Sequence, residues 1–247
     1  MALVFAMAGL LFVIYRWFRN THIRFLAMIL VALSPGVIDY VIEGRSDAFV
    51  LFWLIWSLFL LEKKRFVLSA VLFAFALMSK QTAWFSLPFI GAYIWAVSKR
   101  SWKTLLRYMF ITSTVSAVIL VPFLWWDTNA FVNSVIFYLS GNTPQSYPIS
   151  GYGLGMIFYS LGIVKNIHDS YPFVIWQAAA GLPIYVVWIR WLIREPKISR
   201  LLVGYTTVLF VLWYMSRYFN NSHLGFIGNL YVLGVLKHWD ESFGHAV

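Results

Sequence analysis

Long apolar runs alternate with short clusters of Lys and Arg along almost the whole chain. The runs are about 15 to 20 residues long, close to the roughly 20 residues that an α-helix needs to cross a bilayer. With 61% hydrophobic residues, the chain carries more apolar side chain than a soluble core could bury. We therefore predict an all-α fold: one transmembrane domain over residues 1–247, a polytopic helical bundle of about nine spans.

The basic clusters predict the orientation of these spans. They lie at residues 16–24, 63–65, 99–107, 190–200 and at Lys237. Basic residues concentrate on the cytoplasmic side of membrane proteins, so we place these clusters there and the amino terminus outside. The remaining basic residues are then outside: Arg45, Lys80, Lys165 and Arg217.

Residues 66–97 lie between two cytoplasmic clusters, so this segment crosses an even number of times. Its length allows two helices, each shorter than the roughly 20 residues of a full span. The turn between them carries Lys80 and Gln81 and is expected below the outer surface. Polar backbone at that depth requires contact with protein or with a water-filled cavity. We therefore predict an outward-open cavity with Lys80 in its wall.

The outer segment, residues 127–171, is predicted to contain interfacial or re-entrant helices. Residues 129–140 are apolar with few polar positions and suit a helix at the membrane interface. Residues 141–150 contain two prolines and are predicted to form a loop. Residues 151–164 are apolar but rich in glycine, and we expect them to be re-entrant or packed in the outer leaflet.

Four ionisable residues fall within residues 39–47 of a chain that is only 11% charged: Asp39, Glu43, Arg45 and Asp47. Charge at a membrane boundary is ordinary, but a cluster of acids with a cation between two spans is less so, and such groups are functional candidates. A carboxylate can accept a proton from a hydroxyl, which makes Asp47, Asp39 and Glu43 the catalytic candidates. The alternative is structural: Asp47 would only stabilise the amino-terminal end of the next helix.

The cations on the same predicted side can hold a phosphate and offset its charge as it leaves. We take Lys80, Arg217, Arg45 and Gln81 as candidates for binding a donor phosphate. His223 and Tyr218 are candidates for lining the acceptor side. The alternatives are a solvated loop charge for Arg217 and a residue of the interfacial aromatic belt for Tyr218.

Several functional classes are excluded or not predicted. The absence of cysteine excludes disulfides, thiolate metal sites and cysteine nucleophiles. The five histidines lie far apart without ligand spacing, so we predict no metal and no other cofactor. The net charge of +10 is spread over helix boundaries, which argues against nucleic-acid binding.

The sequence Glu-Gly-Arg-Ser-Asp at residues 43–47 opens an apolar run, and the segment at residues 66–81 ends in Ser-Lys-Gln before Pro88. This arrangement resembles the GT-C superfamily, multi-pass glycosyltransferases that use polyprenyl-phosphate-linked sugars, including mannosyltransferases dependent on dolichyl phosphate mannose. The resemblance covers about residues 36–97, and the segment around Arg217 is similar to a late loop of some members. It implies that Asp47 is an acid of the site and that Lys80 lies near the lipid phosphate.

The chain departs from that pattern at its amino terminus. Family members begin with a cytoplasmic amino terminus, one span and a large outer loop that supplies a catalytic acid. We expect this first part to be missing here, which leaves two alternatives: the sequence is a piece of a longer protein, or the acid comes from residues 39–47.

The resulting expectation is a glycosyltransferase, or the core of one, in the cell membrane with its active face outside. It would bind membrane lipids and transfer a hexose such as mannose from a polyprenyl phosphate to a hydroxyl acceptor on a glycan, lipid or protein. The alternatives are a flippase for lipid-linked sugars, a partner subunit without activity, and a structural membrane subunit.

The orientation can be tested with single cysteines, because the chain has none of its own. A cysteine at position 64 should resist a membrane-impermeant maleimide in intact cells and react after permeabilisation. A cysteine at position 80 should react from outside. Labelling of position 64 in intact cells would reverse the whole orientation.

Overall fold

A computed structural model describes residues 1–34, 47–141, 143 and 146–243. The described chain is almost entirely helical. Its α-helices are α1 Ala2–Trp17, α2 Thr21–Ala32, α3 Asp47–Glu62, α4 Phe66–Ser79, α5 Leu87–Val97, α6 Trp102–Val132, α7 Leu154–Ser160, α8 Phe173–Arg194, α9 Ile198–Tyr214 and α10 Asn221–Phe243. A 3-10 turn, Gln81–Ser86, joins α4 to α5, and a π turn, Asn133–Phe137, continues α6 into a last short turn, Tyr138–Ser140.

The division of residues 66–97 into two short helices is confirmed. Helix α4 has 14 residues and α5 has 11, and the chain leaves helical geometry at Lys80, whose φ of −167° and ψ of 146° are extended. The turn therefore begins at Lys80, as predicted. At about 1.5 Å per residue, both helices are shorter than the roughly 30 Å of a bilayer core.

The nine predicted spans are not established. Among the described residues, nine helices have eleven residues or more, and they coincide with the predicted apolar runs. By length and composition, however, the two stretches suited to crossing a membrane are Trp102–Ser140 and Phe173–Arg194. The other apolar helices are too short or less hydrophobic, because many end early in tight turns.

The outer segment differs from the prediction in one respect. Helix α6 continues past Trp126 and is kinked at Asp127, whose φ of −155° and ψ of 94° are not helical. Helix α7 has only seven residues, too few for a span. Two-residue strands, β1 Ser150–Gly151 and β2 Tyr218–Phe219, pair in parallel, so the purely α-helical expectation is wrong here.

Helix α3 lies at the centre of the bundle and is buried on most of its surface, packed between α1 and α4. A chain of buried hydroxyls joins it to its neighbours. The Oγ atoms of Ser57 and Ser69 lie 3.0 Å apart, and Ser69 Oγ lies 3.1 Å from the Tyr108 hydroxyl of α6. Each hydroxyl thus has a partner inside the apolar bundle, which fixes how α3, α4 and α6 align.

A second buried polar cluster closes the opposite end of the bundle from Lys80. Lys237 Nζ lies 3.3 Å from Glu62 Oε1 and 3.5 Å from Asp240 Oδ2. Asp240 Oδ1 accepts the backbone N–H groups of Arg19 and Asn20 at 2.9 and 2.8 Å. The cluster therefore joins the ends of α1, α3 and α10 and leaves none of the three charges unpaired.

The outer surface of the bundle is apolar. Helix α6 buries only Tyr108 and Thr112 along its length, whereas Phe110, Trp125 and Trp126 are 72%, 89% and 90% exposed. Soluble proteins seldom expose large contiguous apolar patches. A helix with this surface fits a hydrocarbon environment.

Two of the basic turns end their helices with a lysine in the left-handed region. Lys64 has a φ of 57° and Lys99 a φ of 55°. In each turn the following arginine donates its backbone N–H to a carbonyl five residues earlier, Arg65 to Leu60 and Arg100 to Trp95. This is the helix-ending motif in which glycine usually occupies the left-handed position.

Replacing Lys99 with glycine should therefore stabilise the protein. We expect the free energy of unfolding to rise by about 0.5 kcal/mol, because glycine lacks the Cβ that disfavours this backbone conformation. Thermal unfolding in detergent would measure the change. Lys99→Ala keeps the Cβ and removes the same charge, so it should give no gain; equal gains would assign the effect to charge.

Candidate functional site

Two residues far apart in sequence form an ion pair at one end of α3 and α4. Lys80 Nζ donates to Asp47 Oδ1 at 2.6 Å. Asp47 is the first residue of α3, where the helix dipole favours a carboxylate, and Lys80 directly follows α4. Their side chains are 10% and 29% exposed, so the pair is shielded but reachable.

The 3-10 turn after Lys80 is held by two tyrosine hydroxyls, one of them fully buried. The Tyr205 hydroxyl donates to Thr82 O at 2.9 Å, and the Tyr185 hydroxyl donates to Phe85 O at 2.7 Å. The break between α4 and α5 frees backbone carbonyls that need partners in an apolar bundle. The two tyrosines, from α8 and α9, supply them and thereby fix the position of Lys80.

Gln81 connects this turn to the outer segment. Its Nε2 donates to Val135 O in the π turn at 3.0 Å. One of the two N–H donors of this amide, a group predicted to bind phosphate, is thus used in a tertiary contact.

Arg217 lies in the connection between α9 and α10 and is 2% exposed. Its Nη2 donates to Ile167 O at 3.3 Å, and no other residue in the described part of the chain hydrogen-bonds its Nε or Nη1. Burial lowers the pKa of Arg217 from its usual value. The guanidinium lines a cavity of about 270 Å³ together with Ser140, Ser170, Tyr171, Gln177, Ser216 and apolar neighbours.

Glycine backbone and the strand pair enclose this arginine. A Cβ placed on Gly141, whose φ is +87°, would lie 1.4 Å from Arg217 Nη1. A Cβ on Gly155 would lie 2.6 Å from Arg217 O. Ser150 N–H donates to the same carbonyl at 3.2 Å. Only a backbone without side chains at these points lets the outer segment close around the guanidinium.

Tyr218 lies near both charged groups. Burial is the main cause that raises the pKa of Tyr218 to about 12, and Tyr147, Tyr138 and Asp47 add smaller contributions that Arg217 partly offsets. Its ring centroid is 4.9 Å from that of Tyr147. Tyr218 therefore remains a neutral hydroxyl at physiological pH.

The contacts of His223 support the local structure. Its Nδ1 accepts the backbone N–H of Asn220 at 3.2 Å, and its ring lies 4.3 Å from Trp213 and 5.3 Å from Tyr218 between centroids. These contacts hold His223, at the start of α10, against the ring of Tyr218.

The structure thus brings Asp47 and Lys80 into contact, with Gln81 next to Lys80 in the chain, whereas Tyr218 packs against Tyr147 and His223. Arg217 occupies a neighbouring cavity, and the described residues include no direct contact between it and the ion pair. Asp39, Glu43 and Arg45 lie outside the described residues. Tyr138, Tyr147 and Gly141 were not predicted; the glycines of residues 151–155 were the sequence signal for close backbone contact in this region.

The described residues contain no group of three or more His, Asp or Glu side chains placed to hold a metal ion. The chemistry available in the described part of the site is therefore that of a carboxylate, two cations and a tyrosine hydroxyl.

Fold and site together define an almost wholly helical protein with an apolar surface and a charged site at one end of the bundle. The model of glycosyltransferase family 87 matches residues 1–232. The chain belongs to glycosyltransferase family 87, a class of enzymes that transfer a sugar from a donor to an acceptor. Comparisons with curated proteins and with solved structures gave no match.

Gly141→Ala should displace Arg217. We expect a loss of about 2–4 kcal/mol in the free energy of unfolding, since the new methyl group overlaps the buried guanidinium and the positive φ is strained. Gly162→Ala is the matched control: Gly162 has a φ of +71° but open space around its Cβ position. It should lose about 1 kcal/mol. Equal losses, measured by thermal unfolding, would mean that the arginine tolerates the added group.

Proposed function

We propose that this protein is a membrane glycosyltransferase that moves a hexose such as mannose from a polyprenyl phosphate to a hydroxyl acceptor. Family membership supports the transfer of a sugar. The Asp47–Lys80 pair carries the finer proposal, because it places a proton acceptor and a phosphate-binding cation within 2.6 Å of each other.

In the proposed reaction, the bond between the sugar's anomeric carbon and the phosphate oxygen breaks, and the acceptor oxygen bonds to that carbon. The acceptor's proton passes to the Asp47 carboxylate as general base. The bonding electrons leave with the polyprenyl phosphate, whose growing negative charge the cations stabilise. Phosphate leaves without protonation, so no further reactant is needed.

Lys80 can serve both partners. Its ammonium group has three N–H donors, and Asp47 uses one of them in the structure. The others are available to a phosphate, which would then lie beside the carboxylate that receives the proton. Nε and Nη1 of Arg217, which carry three N–H donors between them, are buried and have no partner among the described residues. Once uncovered, they could make a second, bidentate phosphate contact.

The remaining candidates take supporting roles in this proposal. Tyr218 lines the acceptor side with its neutral hydroxyl, and His223 holds it in place from behind. Gln81 contributes its second amide N–H at the donor side. Asp39, Glu43 and Arg45 keep their predicted roles: the two acids are further candidates for the base, and the arginine is a candidate for binding the phosphate.

We also propose the membrane arrangement read from the sequence: about nine spans, basic turns in the cytoplasm and the site on the outer face of the cell membrane. The agreement of the helices with the apolar runs and the exposed apolar face of α6 support it. The short pair α4 and α5 then places Lys80 below the outer surface, where a lipid-linked phosphate could reach it.

The two charges should affect different steps. Lys80→Ala should weaken donor binding about ten- to a hundredfold, because a partly buried charge-assisted contact is worth roughly 1.5–3 kcal/mol. Asp47→Asn should leave donor binding nearly unchanged and lower turnover, since the lost proton acceptor acts only in the transition state. Donor binding and sugar transfer would be measured separately with polyprenyl phosphate mannose.

Lys165→Ala provides the control. Lys165 is an exposed cation of the same outer segment, and its loss should change neither quantity. Small and equal effects in all three variants would mean that Asp47 and Lys80 are only solvated charges at the membrane boundary. Donor binding without any transfer by the unmodified protein would instead favour a binding or flippase function.

A further inference from the structure

A second cavity of about 440 Å³ lies at the other end of α4 from Lys80. It opens between the first turn of α4 and the first turns of α6. Four cations line it: Lys64, Arg65, Lys103 and Arg107. Helix α4 has 14 residues, so this cavity is about 20 Å from the ion pair at 1.5 Å per residue. It is thus a separate place in the molecule from the proposed transfer site.

The positive charge in this cavity has no balancing acid. No carboxylate lines the cavity. Within residues 1–34, 47–141, 143 and 146–243, none of the four cations forms an ion pair. By contrast, Lys80 and Lys237 each have a carboxylate within 3.5 Å. Four like charges around one cavity create a positive potential that attracts an anion.

Backbone groups add to the attraction for an anion. Helix α4 starts at Phe66, and its N-cap residue, Arg65, makes no side-chain capping bond. The N–H groups of the first helical turn have no partner within the helix. Residues Phe66, Val67 and Leu68 carry these donors and also line the cavity. The helix dipole adds positive potential at the same point.

The apolar part of the cavity indicates what kind of anion fits. Val67, Leu68 and Ile111 form its wall, and Val67 and Leu68 are 43% and 53% exposed. Along the same stretch of α6, Leu106 and Phe110 are 59% and 72% exposed. A small soluble anion would leave this apolar surface uncovered. A lipid covers it with its hydrocarbon chain while its phosphate meets the cations.

We propose that this cavity binds the phosphate headgroup of an anionic membrane lipid, with the lipid chain lying against α4 and α6. The site is independent of the sugar-transfer site and holds whether or not that proposal is correct.

The test measures binding of phosphatidylglycerol to the full chain in detergent, by native mass spectrometry and by the shift in unfolding temperature. The double variant Lys103→Gln, Arg107→Gln removes two cavity cations. Its affinity for phosphatidylglycerol should fall about tenfold or more, because each basic contact to an anionic lipid contributes about 1 kcal/mol. Phosphatidylcholine with the same chains should bind weakly to both proteins.

The matched control is the double variant Lys99→Gln, Arg100→Gln. It removes the same charge from the turn just before α6, but neither residue lines the cavity. Its affinity should stay within about twofold of the original, since only general surface attraction is lost. Equal losses in the two double variants would overturn the proposal.

Two further arms complete the test. Arg107→Lys keeps the charge and should retain most of the binding, which separates a lost contact from a folding defect. Inorganic phosphate should neither compete with phosphatidylglycerol nor raise the unfolding temperature. Competition by inorganic phosphate as strong as that by the lipid would assign the cavity to a free anion and reject the lipid.

Discussion

The break in the chain between α4 and α5 governs the arrangement of the charged end. A helix that stops inside an apolar bundle leaves carbonyls that water cannot reach. In the turn that follows, the hydroxyls of Tyr205 and Tyr185 donate to the carbonyl oxygens of Thr82 and Phe85. Because these donors come from α8 and α9, the turn, its lysine and the late helices hold one another in register. Lys80 is thereby held in a fixed position facing Asp47.

Much of the helical pattern could be predicted from the sequence because its causes are local. Apolar runs ended by Lys or Arg gave the bounds of α1, α3 and α9 to within a few residues. Parity together with length divided residues 66–97 into two helices, as the structure shows. The pairing of β1 with β2 could not be predicted, since two-residue strands have no periodicity and their partners are distant in sequence. The number of membrane crossings also depends on packing, which the sequence does not state.

Part of the candidate site could also be predicted from the sequence. Placing Asp47 and Lys80 on one side followed from charge and parity, and the structure adds their contact. The burial of Arg217 did not follow, because it depends on Gly141 and Gly155 approaching from a segment that reads as an irregular loop. From the sequence, Arg217 could also be a solvated loop charge. The structure instead encloses it for this reason, with Tyr218 buried beside it.

The lysines that end α3 and α5 have a consequence for biogenesis. At Lys64 and Lys99 the backbone is left-handed, a position that glycine would occupy at lower conformational cost. A positive charge beside a span also determines which way that span inserts. In the membrane arrangement proposed above, one residue thus serves two selections, one made while the chain enters the membrane and the other after it has folded. Substitutions that improve the folded turn would, in that arrangement, remove a charge that orients insertion.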